Sequence, residues 1–146
     1  MRRLLSVIAL HFAQTVWAGD YEDGIAAYDR KDYATAFSKF RSAALQGNPI
    51  AQGLVGMMYH EGLGVAQNYL EAESWWTLAA SQGNIQAQFR LGLMYDTGRG
   101  IAQDHKEAVR WYRLAAQNGL MSAQYNLGIK YYEGKGVLQD YTRAHM

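Results

Sequence analysis

Ala87-Gln-Phe-Arg-Leu91-Gly92-Leu-Met-Tyr95-Asp-Thr-Gly98-Arg-Gly100-Ile-Ala-Gln-Asp104-His-Lys-Glu107-Ala108-Val-Arg-Trp111-Tyr112-Arg-Leu-Ala115-Ala116-Gln-Asn-Gly119 carries two helical patterns divided by a loop. In the first, Ala87, Leu91, Met94 and Tyr95 recur at spacings of three and four, the apolar face of a helix, here helix A. Gly98 suits the left-handed conformation that commonly closes a helix, so helix A is predicted to end near Thr97. Gly100 gives the loop a second permissive position. Helix B opens at Asp104, whose carboxylate caps the first turn, and Glu107 is placed to reach back and complete a capping box. Its face is Ala108, Trp111 or Tyr112, Ala115 and Ala116, small residues for close approach and aromatics for volume. Gly119 closes it.

The same pattern stands on both sides at a period of 36 residues. Val55-Gly56-Met-Met-Tyr59 precedes Leu91-Gly92-Leu-Met-Tyr95, and Leu127-Gly128-Ile-Lys-Tyr131 follows it. Gly62 with Gly64 and Gly134 with Gly136 match the glycine pair, and Asn68 with Glu71 matches the cap. Such a period marks a solenoid, in which each unit buries its apolar face only by stacking on its neighbours. Upstream, Tyr33, Ala36, Phe40, Ala43, Ala44 and Gly47 stand 36 residues before their counterparts. The helix A of that divergent copy, around Gly24 to Tyr28, is offset by only 32, so its loop is four residues shorter and lacks the glycine pair. Asn48 and Pro49 form an N-cap and first-turn pair. The units are therefore a divergent repeat at about 19–50, repeats at 51–86 and 87–122, and a truncated repeat at 123–146, reading A-B, A-B, A-B and a final A.

Residues 1–18 read as a secretory signal peptide. Arg2 and Arg3 precede the apolar run Leu4 to Leu10, and Val16-Trp17-Ala18 offers small residues at the cleavage positions. The run is far shorter than the roughly 20 residues a membrane span requires. Export to the periplasm or beyond, with no transmembrane anchor after cleavage, is the expectation. Loss of Arg2 and Arg3 from the 14 basic residues leaves 12 against 13 acidic ones, a nearly neutral chain. Without clustered Lys and Arg, nucleic acid is not an expected partner. The absence of cysteine excludes a disulfide scaffold, thiolate metal sites and a cysteine nucleophile.

The run from Ala87 to Gly119 resembles a Sel-1-like repeat almost position by position, and the upstream copy is more similar to the tetratricopeptide repeat. The resemblance covers essentially all of residues 19–146. It implies an all-α fold, a right-handed superhelical solenoid of antiparallel helix pairs, acting as a binding scaffold for a protein or peptide, in bacteria often in the envelope. It carries no cofactor.

Chemistry finds little support in the residues. His60, His105 and His145 fall at different repeat positions, opposite Asp96, Tyr69 and Glu73, and no pair has helical metal-ligand spacing. The glycine pairs lack the strand and the Lys-Ser/Thr of a phosphate loop; at Gly134-Lys135 the spacing back to Gly128 is also wrong. Some cysteine-rich relatives of the family are associated with β-lactam binding or hydrolysis, which makes a hydrolase the alternative class. This chain departs from them in having no cysteine, and no serine is followed three residues later by lysine. No enzyme activity is expected.

If helix A lines the concave side, as the tetratricopeptide resemblance implies, three ladders follow from the helix glycines at 24, 56, 92 and 128. They are Tyr21, Gly53, Phe89 and Tyr125; Ile25, Met57, Leu93 and Ile129; and Tyr28, His60, Asp96 and Tyr132. Their aromatic and aliphatic character suits an apolar peptide segment or partner helix more than an acidic tail. The middle ladder is assigned to packing between repeats, as aliphatics at helical spacing usually are. Partner contact is expected from Tyr21, Tyr28, His60, Phe89, Asp96, Tyr125 and Tyr132, with Phe89 and Tyr125 as anchors. By the repeat period the last helix A lacks its partner helix B, so either a truncated gene product or self-association through that end is a further expectation.

Overall fold

The computed structural model describes residues 18–145, every element of which is a helix, so the expected signal peptide lies outside the described residues except for Ala18. Helix α1 covers 18–29. It is followed by α2 (Tyr33–Leu45), α3 (Pro49–Glu61), α4 (Tyr69–Ser81), α5 (Ile85–Thr97), α6 (His105–Gln117), α7 (Met121–Glu133) and the single turn α8 (Tyr141–Ala144). The six helices α2 to α7 have 13 residues each, about 20 Å. Each packs mainly on its chain neighbours, the arrangement of an α/α solenoid with the odd-numbered helices as A and the even-numbered as B. Where the sequence predicted a final A alone, the first turn of a fourth B is formed as α8.

The ends fall where the polar residues dictate. Asn48, Asn68, Asn84, Asp104 and Asp140 each accept backbone N–H groups of the following turn. Helix α5 stops at Thr97 because Gly98 turns left-handed, φ 66°. The capping box is half formed: the Glu107 carboxylate turns away to Arg110, at 2.8 Å. The reason is that the Asp104 N–H it would have taken already donates to the Tyr95 carbonyl at 2.9 Å, closing the loop onto helix A. In the shorter first loop Lys31 itself adopts a positive φ of 63° where the later loops use glycine.

Packing within a pair rests on the helix glycines. The Phe40 ring lies on Gly24, the Trp76 indole on Gly56 and the Tyr112 ring on Gly92, each so close that a Cβ would overlap the ring. Between Trp75 and Trp76 it is Trp76 that is buried, 2% exposed, whereas Trp111 and Tyr112 are both buried. Around these rings Ala72, Ala79, Ala80, Ala87, Leu91 and Met94 complete the central core.

The joints between pairs use residues whose role spacing alone did not reveal. Gln52 and Gln88 are buried on helix A and donate to the carbonyls of Ala44 and Ala80 near the end of the preceding helix B, both at 3.2 Å. Gln124 repeats the bond to Ala116 at 3.3 Å. The second loop glycine has a packing reason beyond its φ: at Gly64 and Gly136 a side chain would run into the carbonyls of Tyr33 and His105, which open the helix B one repeat earlier. Across the joint of α4 and α5 the Tyr95 hydroxyl donates to Glu73 at 2.7 Å, and burial together with that carboxylate pushes its pKa up to about 12.

One joint is imperfect. Gln82 donates to the free oxygen of Gln52 at 2.6 Å and to the Leu78 carbonyl, but its counterpart Asn118 is one methylene shorter and reaches only Leu114. The equivalent oxygen of Gln88 is buried without a hydrogen bond. Asn118→Gln is therefore expected to raise the unfolding free energy by about 1 kcal/mol, roughly 4 °C in midpoint by thermal circular dichroism. A loss of stability would show that the longer side chain does not reach Gln88.

Candidate partner-binding groove

Because each helix packs on its chain neighbours, α3 and α5, both A helices, flank a trough with the Trp76 indole of α4 at its floor. The trough has two hollows. The larger, about 720 Å³, is lined by Ile50, Leu54, Met57 and Arg90 and by the turns at Gln82–Asn84 and Asn118–Leu120. The smaller, about 410 Å³, is lined by His60, Glu61, Arg90, Leu93, Thr97 and Arg99. Trp76 and Arg90 belong to both, so the hollows adjoin along the helices. Trp76 is held there by its ring nitrogen, which donates to the Gly53 carbonyl at 3.0 Å.

The open face of each A helix thus runs through Leu54, Met57 and Glu61 on α3 and through Arg90, Leu93 and Thr97 on α5, again at spacings of three and four. The middle ladder lies on it: Met57 and Leu93 line the groove, Met57 while also packing against two core clusters. Of the outer ladders only Gly53 and His60 line it, whereas the aromatics at Phe89, Tyr21 and Tyr28 turn toward the partner helix. Phe89 packs on Tyr112 with ring centroids 5.9 Å apart, Tyr21 on Phe40 at 6.0 Å, and Tyr28 on Tyr33 at 5.2 Å. His60 borders the smaller hollow, stacks against Tyr69 and Trp76, and contacts Glu61 through Nδ1 at 2.7 Å.

Asp96 is taken up in a network of its own. Its carboxylate pairs with the buried ammonium of Lys130 on α7, with Nδ1 of His105 at 2.9 Å, and with the Tyr112 hydroxyl at 3.3 Å. Burial and the nearby Asp96 charge hold the Tyr112 hydroxyl far above its ordinary pKa, so it remains a donor. Tyr125 and Tyr132 are apart from the groove: they are 71% and 59% exposed and line a separate hollow with Met121, Ile129 and Ala144. Tyr132 also meets Tyr141 edge-on at 5.6 Å.

Leu54 and Arg90 stand one residue beyond the ladder of Gly53 and Phe89, and Arg99 lies in the loop after helix A, where helical spacing places no face. The glycines mark the face pressed on helix B. The copies themselves differ there: two residues before the glycine stand Glu22, Leu54, Arg90 and Asn126, which share neither charge nor size. Among the described residues no group of three His, Asp or Glu side chains could hold a metal ion. No described helix is long and apolar enough to cross a membrane.

A family model described as Sel1 repeat matches residues 11–48, 49–84, 85–120 and 122–146. Among solved structures, a protective antigen present in uropathogenic Escherichia coli strains, displaying an SLR fold, superposes with a TM-score of 0.84 and 35% identity, over 88% of this chain and 28% of its own. A Sel1 repeat protein from Oxalobacter formigenes gives 0.80 and 40%, over 85% of this chain and 51% of its own. This chain therefore spans about a quarter and a half of the lengths of these two relatives. Cysteine rich protein B of Helicobacter pylori, 20% identical with a TM-score of 0.58 over 60% of this chain and 66% of its own, shares the fold. No curated protein matches the chain.

Proposed function

The chain belongs to the Sel1 repeat family, and we propose that it is an exported bacterial scaffold that binds a protein or peptide segment in the groove between α3 and α5. The observation that carries this reading is the sharing of Trp76 and Arg90 by the two hollows, which sets them side by side between α3 and α5 as room for an extended segment. Its floor is pre-formed, since the indole is fixed by packing and by its bond to Gly53. A rigid apolar floor with few polar groups at the sides is the usual make-up of a binding cleft. Tyr125 and Tyr132, exposed aromatics on α7, offer the same partner a second contact beyond the groove. Export is supported by the basic and apolar pattern of residues 1–18. The description of the Escherichia coli relative as a protective antigen agrees with a place in the envelope.

One preparation tests both parts. Expressed with its own leader in a bacterium, the protein is expected in the periplasmic fraction with Gly19 as first residue; retention in the cytoplasm at full length would sink the export reading. That mature protein is then presented with a random peptide display library. Selected peptides are expected to lose binding to Met57→Glu, which places a charge on the groove wall, while Leu45→Glu on an exposed part of α2 leaves it unchanged. Equal binding to both variants would remove the groove as the site.

A further inference from the structure

Two arginines give the groove a sign. Arg90 stands where the preceding and following copies have Leu54 and Asn126, and Arg99 stands between the glycines of its loop, where the others have Leu63 and Lys135. Both line the smaller hollow, Arg90 facing the larger as well, and both are exposed. Among the described residues neither guanidinium takes part in an ion pair or donates a hydrogen bond. Several other basic side chains of the solenoid are engaged, Lys39 with Asp20, Arg110 with Glu107, Lys130 with Asp96, Lys135 with Glu133 and Arg143 with Asp140, and of those that are not, only Arg90 and Arg99 line the groove. The one acid in the hollow, Glu61, contacts His60 through its carboxylate. The positive sign is local, because the mature chain is nearly neutral. It lies directly beside apolar wall, Leu93 and Met94 in the same hollow and Leu54 and Met57 in the next.

We infer that the partner segment is acidic: an extended peptide whose Asp or Glu side chains meet Arg90 and Arg99 and whose apolar residues lie against Leu54, Met57 and Leu93. The inference rests on the groove reading proposed above and gives it a chemical class. A guanidinium presents a planar fork of donors that a carboxylate matches with two bonds, so a pair of unengaged arginines beside apolar wall selects carboxylates over neutral amides. It reverses the apolar preference predicted from the ladders, because Arg90 and Arg99 belong to none of them.

The test uses three fluorescent pools of eight-residue peptides that alternate Leu or Phe with Glu or Asp, with Gln or Asn, or with Lys, followed by anisotropy against the mature protein. The acidic pool is expected to bind at least about tenfold tighter than the neutral one, and the lysine pool least. Arg90→Gln with Arg99→Gln should abolish that preference while thermal circular dichroism shows the fold retained, since both side chains are exposed. Glu61→Gln, which removes the only acid of the hollow, should strengthen acidic binding several-fold. Raising salt from about 50 to 500 mM should weaken the acidic pool and leave the neutral one little changed. Equal binding of acidic and neutral pools, both lost in Met57→Glu, would overturn the acidic preference and leave the groove reading standing. Binding of no pool, or binding that Met57→Glu does not touch, would overturn both.

Discussion

Tyr112→Ala is expected to lower the unfolding free energy by about 3–5 kcal/mol, the cost of emptying a large aromatic site in a packed core. The ring is fully buried, lies on Gly92 of α5, and touches Phe89 at the edge of the same interface. Its removal leaves a void over Gly92, which has no side chain to fill it. Tyr112→Phe separates ring from hydroxyl. The bond to Asp96 is long, 3.3 Å, and the carboxylate keeps Lys130 and His105, so this change should cost no more than about 1 kcal/mol. Urea unfolding followed by helical circular dichroism reads both. A cost for the alanine variant below that of the phenylalanine variant would show that the ring-on-glycine contact does not organise the pair.

Asp96→Ala is expected to cost about 3 kcal/mol, and its partner substitution far less. Removal of the carboxylate strands the Lys130 ammonium, whose side chain is only 7% exposed, among apolar groups. Lys130→Met is the milder change, because methionine occupies the same position in the two preceding copies as Met58 and Met94, and Asp96 at 19% exposure retains His105, Tyr112 and some water. The double variant Asp96→Ala with Lys130→Met removes both charges and leaves no stranded ammonium. It should recover most of the loss, a coupling of about 2 kcal/mol in a double-mutant cycle. Additive effects of the two substitutions would show that the ion pair does not hold α7 to α5.

The fold was legible almost to the residue, and the reason is that its determinants are local. The end of α5 at Thr97 follows from Gly98, the start of α6 from Asp104, and the start of α3 from Asn48 with Pro49. Each acts within a turn of its own position. The capping box was overread because its success depends on a third party, the Tyr95 carbonyl that claims the Asp104 N–H. The joints were missed for a similar reason. Gln52 and Gln88 look like ordinary polar residues on a helix, and only the approach of the preceding helix B gives them a carbonyl to bind.

The groove was half legible. Met57 and Leu93, which helical spacing assigns to inter-repeat packing, line the hollows, and Met57 does both, packing against the core clusters as well. His60 and Asp96 were read as ladder rungs; His60 borders the groove, whereas Asp96 serves the joint with α7. A helix face is a continuous surface of about 100° per residue, and spacing alone leaves its zero angle free. The position of Gly53 and Phe89 is one residue from that of Leu54 and Arg90, and of these four Phe89 alone does not line the larger hollow.

By itself, then, the sequence determined the repeat, the helix boundaries, the glycine notches and the family, because periods, caps and left-handed turns are properties of short stretches of chain. Only the tertiary structure decided which face of α3 and α5 stays open, that Asp96 is bound to Lys130, and that Arg90 and Arg99 share one hollow. Those outcomes depend on the rotation of each helix about its axis and on the angle between successive pairs, which are set by side-chain volumes meeting across residues distant in the chain.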